Sequence, residues 1–122
     1  MDAGFTARYT LSSLKSGLRR THVLLGKYYG LFVSTASVGG GQESTAIAAL
    51  SSWTHQGMIY VPLGYAPAFG LLTELGEVRG GSPWGAGTFA AGDGSRQPTA
   101  KEFELAEIQG KTFYQTVSKV SF

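Results

Sequence analysis

The stretch "LFVSTASVGGGQESTAIAAL", residues 31 to 50, places the tightest constraint on the fold. An apolar run ends in Ser and Thr, breaks at Gly39, Gly40 and Gly41, and resumes as an alanine-rich segment of helical length. Three successive glycines at that junction describe a strand that turns sharply into a helix on backbone bare of Cβ atoms. Such a turn presents amides and the positive end of the helix dipole at the carboxyl edge of a strand, where open α/β sheets hold their ligands. A plain tight turn accounts for the same residues without any ligand. The pattern is neither G-x-G-x-x-G nor a Walker loop.

The flanking segments support a parallel α/β unit. Tyr28 to Thr35, "YYGLFVST", is a nearly continuous apolar run, as expected of one strand buried on both faces. Gln42 to Gln56 sets Ala46, Ile47, Leu50 and Trp53 at helical spacing, and Gly57 stands where a helix stop belongs. Met58 to Leu63, "MIYVPL", is a second short apolar run, and the crossover implies that the two strands pair in parallel. Residues 64 to 98 read as a long Gly- and Pro-rich loop with at most one helical turn near Leu71 to Leu75, and its aromatic residues argue for order. Thr99 and Glu102 form a capping box that opens a last helix, in which Ala106, Phe113, Val117 and Val120 make an apolar stripe. Gly110 within that helix suggests close approach to another backbone. Trp53 and Phe113 are expected in the core.

At 122 residues the chain allows one modest domain. The absence of cysteine excludes disulfides, thiolate metal sites and thiol catalysis. With His22 and His55 as the only histidines, no metal cluster is expected. No apolar run is long enough to span a membrane. The net charge of +2 is uneven: residues 1 to 41 hold five basic side chains against Asp2 alone, and the remainder is net acidic. The excess lacks interleaved aromatics, so nucleic acid is not an expected partner. The acid-poor, Ser- and Arg-bearing start shares the composition of a mitochondrial transit peptide, and a basic solvated arm accounts for it too. The expected location is the cytoplasm, with the mitochondrion as the alternative. Within this arm, "FTARYTL" alternates as a half-buried strand does. It, or the same edge of a second copy, is expected to cover the open edge of "YGLFVST".

Four blocks in order, "STASVGGGQES", "HQGMIYVPLGY", "GGSPWGAGTFAAGDGSRQP" and "EIQGKTFYQTV", resemble the C-terminal half of the WrbA-like flavodoxin family of NAD(P)H:quinone oxidoreductases, closest to its fungal branch. The resemblance implies an α/β, partial flavodoxin-like fold over residues 26–122: a parallel βαβ unit plus a C-terminal helix, without the family's first three strands. Residues 1–25 are then a divergent basic N-terminal segment. It also implies FMN as cofactor, NAD(P)H as co-substrate, a quinone as substrate, and a homo-oligomer, dimer or tetramer.

By that similarity Ser34, Thr35, Ala36, Ser37, Val38 and Gly39 line the flavin ring, and Gly40 and Gly41 complete the turn. The family pattern there is Ser-Thr-Gly-Thr, so Ala36 and Ser37 are departures. His55 matches the histidine placed near the flavin, where an imidazole donates to a developing quinone oxyanion. A helix-end histidine near the negative end of the dipole is the structural alternative. Tyr65 and Trp84 would wall the substrate site, and Arg96 is expected to brace its loop through Asp93. The phosphate-cradling loop of the family has no counterpart in the matched blocks. A non-catalytic interaction protein built on the same half-fold is therefore the competing expectation.

Overall fold

The computed structural model describes residues 23–121. The arm bearing "FTARYTL" lies outside the described residues. Four short strands and three α-helices follow in the order β1 (Tyr28–Tyr29), β2 (Val33–Thr35), α1 (Gln42–His55), β3 (Ile59–Tyr60), α2 (Phe69–Thr73), β4 (Gly87–Phe89) and α3 (Ala100–Val117). A turn of 3₁₀ helix, Ala66–Ala68, leads directly into α2. The architecture is α/β with both strand pairs parallel, in agreement with a partial flavodoxin-like fold.

The run read as one strand is served by two partners. β1 pairs with β3, and β2 pairs with β4. The carbonyls of Lys27 and Tyr29 accept from Ile59 and Val61, the Val33 amide donates to Ala86, and the Thr35 carbonyl accepts from Ala90. All four positions are odd, and an extended chain alternates its bonding edge at each residue, so both ladders lie along one edge. The strand on that edge leaves after Tyr60, makes an excursion through α2, and re-enters at Ala86. The long loop of the sequence reading thus contains a strand, β4, that its glycines concealed.

Leu31 falls in the gap between the two ladders. Its carbonyl accepts from Gln109 Nε2 at 2.7 Å, while Gln109 Oε1 accepts from the Ala86 amide, also at 2.7 Å. One buried side-chain amide on α3 therefore takes the place of the missing ladder bonds. Gly85 makes this closure possible, since a Cβ there would lie 2.0 Å from the Leu31 carbonyl oxygen.

The helices begin and end as their residues dictate. In α3 the Glu102 amide donates to Thr99 Oγ1, and the Thr99 amide donates to Glu102 Oε2 at 2.9 Å, the capping box read in the sequence. At the end of α1, Gly57 adopts φ of +68°, with its amide on Thr54 and that of Met58 on Trp53, a Schellman closure. The main apolar cluster among the described residues is small: Leu63, Ala68, Ala86 and a fully buried Leu105, with Leu71, Leu72 and Ile108 packed against them, while Ala46, Val61 and Phe89 are buried outside it. Trp53 and Phe113 lie only half-buried at its margin. Trp53 packs on Tyr29 at 5.4 Å between ring centres, and Phe113 borders an open groove.

Glu102 does more than cap. Its buried carboxylate accepts from the Gly80 amide at 2.7 Å, from Thr88 Oγ1 at 2.8 Å and from Arg96 at 3.1 Å, tying the excursion and β4 to α3. Arg96 thus braces its loop through Glu102 and not Asp93, which instead accepts from the amide and hydroxyl of Ser95. The reason is burial: Glu102 is sequestered and needs a cation, whereas Asp93 is solvated.

Burial works against ionisation of Glu102, but the bonds from Arg96, Gly80, Thr99 and Thr88 outweigh it and hold the carboxyl below its ordinary pKa. As pH falls, the unfolded chain takes up the proton first. The stabilisation is therefore complete above the ordinary carboxylate range and is lost as pH falls through the folded value. Glu102→Gln is expected to cost about 3 kcal/mol at neutral pH in urea unfolding and to flatten the acid-side loss of stability. Gln109→Leu, which strands the Leu31 carbonyl and the Ala86 amide, is expected to cost about 2–4 kcal/mol in the same assay with an unchanged m-value.

Candidate functional site

At the carboxyl end of β2 the chain turns through Ala36–Gly41 into α1. Thr35 Oγ1 donates to the Ser37 carbonyl at 3.0 Å, and the Gly40 amide donates to the same oxygen at 3.0 Å. Ser44 Oγ and the Thr45 amide both reach the Gly41 carbonyl. Two of the three glycines are required by this turn. A Cβ on Gly40 would lie 2.8 Å from the Ser37 carbonyl oxygen and 2.9 Å from Thr35 Cβ, and Gly41, the N-cap of α1, has φ of +86°. Gly39 is different, because nothing lies within 4 Å of a Cβ there. Its missing side chain leaves open space and relieves no contact within the turn.

Across this space lies the Gly80–Gly81–Ser82 segment. Val38, Gly39, Gly41, Gln42, Glu43, Ser44, Gly81, Ser82 and Phe89 together line a cleft of about 340 Å³ at the N-terminus of α1. Gln42 fixes its floor: Nε2 donates to the Thr88 carbonyl at 2.7 Å and Oε1 accepts from the Gly81 amide at 2.9 Å. Sequence reasoning passed over Gln42, and the only signal was its place as the first residue after the glycines. The amides of Ala36, Ser37, Val38 and Gly39 donate to no acceptor among the described residues. The arrangement suits a flat, acceptor-bearing ring, since it offers bare backbone, free donors and a helix N-terminus on one side.

The remaining expected site residues do not all converge here. Ser34 and Thr35 form the end of β2 and point the chain into the turn. Trp84 stands nearby, lining a small crevice with Gln42, Ala46 and Ser82. It stacks on Tyr60 at 6.4 Å, and its carbonyl accepts from the Tyr60 hydroxyl. Burial, with neighbouring Tyr29 adding, pushes the Tyr60 phenol up to about 12, so this hydroxyl stays a donor across the physiological range. Tyr65 is exposed and packs edge-on against Phe69. His55 is exposed at the far end of α1, a helix of 14 residues that rises about 20 Å from the glycine turn. Within one copy, His55 and the turn belong to opposite edges of the sheet.

Among the described residues no group of three or more His, Cys, Asp or Glu is placed to hold a metal ion. No helix among them is long and apolar enough to cross a membrane.

No family model matches the chain. Individual proteins do. NAD(P)H quinone oxidoreductase PST3 of Candida albicans is 63% identical over 103 residues, which is 84% of this chain and 52% of the relative. Minor allergen Cla h 7 of Davidiella tassiana is 59% identical over 106 residues, 87% of this chain and 52% of the relative. Minor allergen Alt a 7 of Alternaria alternata is 62% identical over 94 residues, 77% of this chain and 46% of the relative. The chain spans about half the length of the curated relatives it matches. Over that shared half, it belongs to the family that these fungal NAD(P)H quinone oxidoreductases and minor allergens represent.

Proposed function

We propose that this chain carries the flavin-ring half of an FMN-dependent NAD(P)H:quinone oxidoreductase site, completed by a neighbouring protomer. The observation that carries the reading is the turn Ala36–Gly41, with four amides that meet no acceptor among the described residues, an open Gly39 and a cleft closed behind by Gln42. Its identity of 63% to a protein named as an NAD(P)H quinone oxidoreductase supports the same reading.

When bound, FMN supplies two-electron transfer between a nicotinamide and a quinone. The chain's own residues do the rest. Ala36 to Gly39 donate from their amides to the carbonyls of a flat ring, and Gly39 leaves the ring face unobstructed. Trp84 and Gln42 exclude water from the inner side. His55, about 20 Å from the turn within its own copy, serves the site of a neighbour, where its imidazole donates to the oxyanion of a reduced quinone. A homo-oligomer, dimer or tetramer, is therefore part of the proposal.

The competing reading, an interaction protein on the same half-fold, draws on Phe32, 81% exposed beside an apolar groove. FMN titration separates the two. Saturable quenching of flavin fluorescence at micromolar FMN is expected, and no binding up to millimolar FMN would favour the interaction protein. Gly39→Val fills the open space without touching the fold, so it is expected to weaken FMN binding at least tenfold with unfolding unchanged. His55→Ala is expected to lower quinone reduction while leaving the FMN dissociation constant within about twofold.

A further inference from the structure

Four half-buried rings stand in one unbroken row outside the main apolar cluster. Tyr29 and Tyr60 are partners in the register of β1 and β3, so their side chains leave the same face, with ring centres 5.3 Å apart. Trp53, in the last turn of α1, packs on Tyr29 at 5.4 Å, and Trp84, in the excursion, stacks on Tyr60 at 6.4 Å with the planes 17° apart. The order is Trp53, Tyr29, Tyr60, Trp84, and it takes in both tryptophans of the chain. Trp84 shares its crevice with Gln42 and Ser82, which also line the cleft at the glycine turn, whereas Trp53 precedes the exposed His55 by one turn of chain. The row therefore follows α1 from its first turn to its last.

The two phenols differ in where a proton can go. The Tyr60 hydroxyl donates to the Trp84 carbonyl, which accepts a hydrogen bond but is no base, and burial with Tyr29 beside it pushes this phenol up to about 12. Burial raises the Tyr29 phenol as well, but its hydroxyl has no hydrogen bond among the described residues and is not among their sealed, unpaired polar atoms, so it is left to water.

We propose that this row is a relay for one-electron oxidation, carrying an electron vacancy from either tryptophan to Tyr29 and so away from the wall of the cleft. The oxidant is a radical of the peroxyl class. It takes one electron and the N–H proton from the Trp84 indole and leaves as the hydroperoxide. An electron from Tyr29 then crosses Tyr60 to the indolyl radical. The indole nitrogen regains a proton from water and the Tyr29 hydroxyl gives its own to water, so the indole is restored and the phenol becomes a phenoxyl radical. At neutral pH a phenoxyl that has lost its proton is a weaker oxidant than an indolyl radical, and the transfer runs downhill. Tyr60 is a bridge and not a stopping place, because its proton meets no base. From Trp53 the same exchange with Tyr29 is a single step.

The relay needs neither flavin nor quinone. Pulse radiolysis of the 122-residue chain in azide solution without FMN tests it, since the azide radical takes an electron from indole in preference to phenol and is itself reduced to azide. The indolyl band is expected to decay at a rate independent of protein concentration while the phenoxyl band grows in step. Tyr29→Phe keeps the ring and removes a hydroxyl with no described partner, so it is expected to slow this conversion about tenfold or more with urea unfolding unchanged. Trp53→Phe and Trp84→Phe isolate the two routes. Adding Tyr60→Phe is expected to slow the Trp84 route about tenfold and to leave the Trp53 route within about twofold. Tyr114→Phe, at an exposed tyrosine outside the row, is expected to change nothing. A row that only packs gives an indolyl decay whose rate scales with protein concentration, or a conversion indifferent to Tyr29→Phe, and either result would overturn the proposal. So would an equal effect of Tyr60→Phe on both routes. Because the assay holds no flavin, its outcome and that of the FMN titration are independent.

Discussion

The bidentate bridge from Gln109 to Leu31 and Ala86 is the interaction on which the rest of the chain depends. A parallel edge served by one continuous strand needs no such device, because each amide meets a carbonyl in register. Here the neighbouring strand departs after Tyr60 and returns at Gly87, and the interruption strands polar backbone in the interior. A primary amide suits the gap better than any other side chain, since it donates and accepts at one end in nearly the geometry of a peptide group. Without it, β2 and β4 would still pair, but the entry to β4 would carry an unpaired buried amide.

Two further buried or half-buried polar side chains repeat this logic along the excursion. Gln42 joins the Gly81 amide to the Thr88 carbonyl, and Glu102 joins the Gly80 amide to the Thr88 hydroxyl and to Arg96. The segment from Arg79 to Phe89 has few apolar atoms to bury, so hydrogen bonds to α1 and α3 fix its path where packing cannot. Such polar networks are directional and permit few alternative arrangements. That is what a wall of glycines requires if it is to keep one shape.

Much of this was legible in the sequence, for identifiable reasons. The strand, glycine turn and helix from Leu31 to His55 announced themselves through period and punctuation, as did the Gly57 stop and the Thr99–Glu102 box. β4 was not legible, because "GTF" sits between glycine clusters and has no alternation of its own; it is a strand only because β2 offers an edge. The role of Arg96 was misassigned to Asp93 because proximity in sequence stood in for burial, which only the fold reveals. Gln109 carried no signal and Gln42 none beyond its place after the glycines, since a glutamine in a helix reads as solvated until the backbone it serves is located 23 to 78 residues away. At the turn, sequence could count glycines but not divide them into Gly40 and Gly41, which the turn requires, and Gly39, which it does not.

Helix α3 links the two ends of this reasoning. Its buried side holds the glycine-rich wall through Glu102 and Gln109, and Gly110 on its exposed side has nothing described within 4 Å of a Cβ. Among the described residues the buried apolar side chains are Ala46, Val61, Leu63, Ala68, Ala86, Phe89 and Leu105, modest apolar burial to set against chain entropy. Anything that binds only the folded state raises its stability by mass action. A ring bound at the turn would favour the same folded helix through the wall that Glu102 and Gln109 hold.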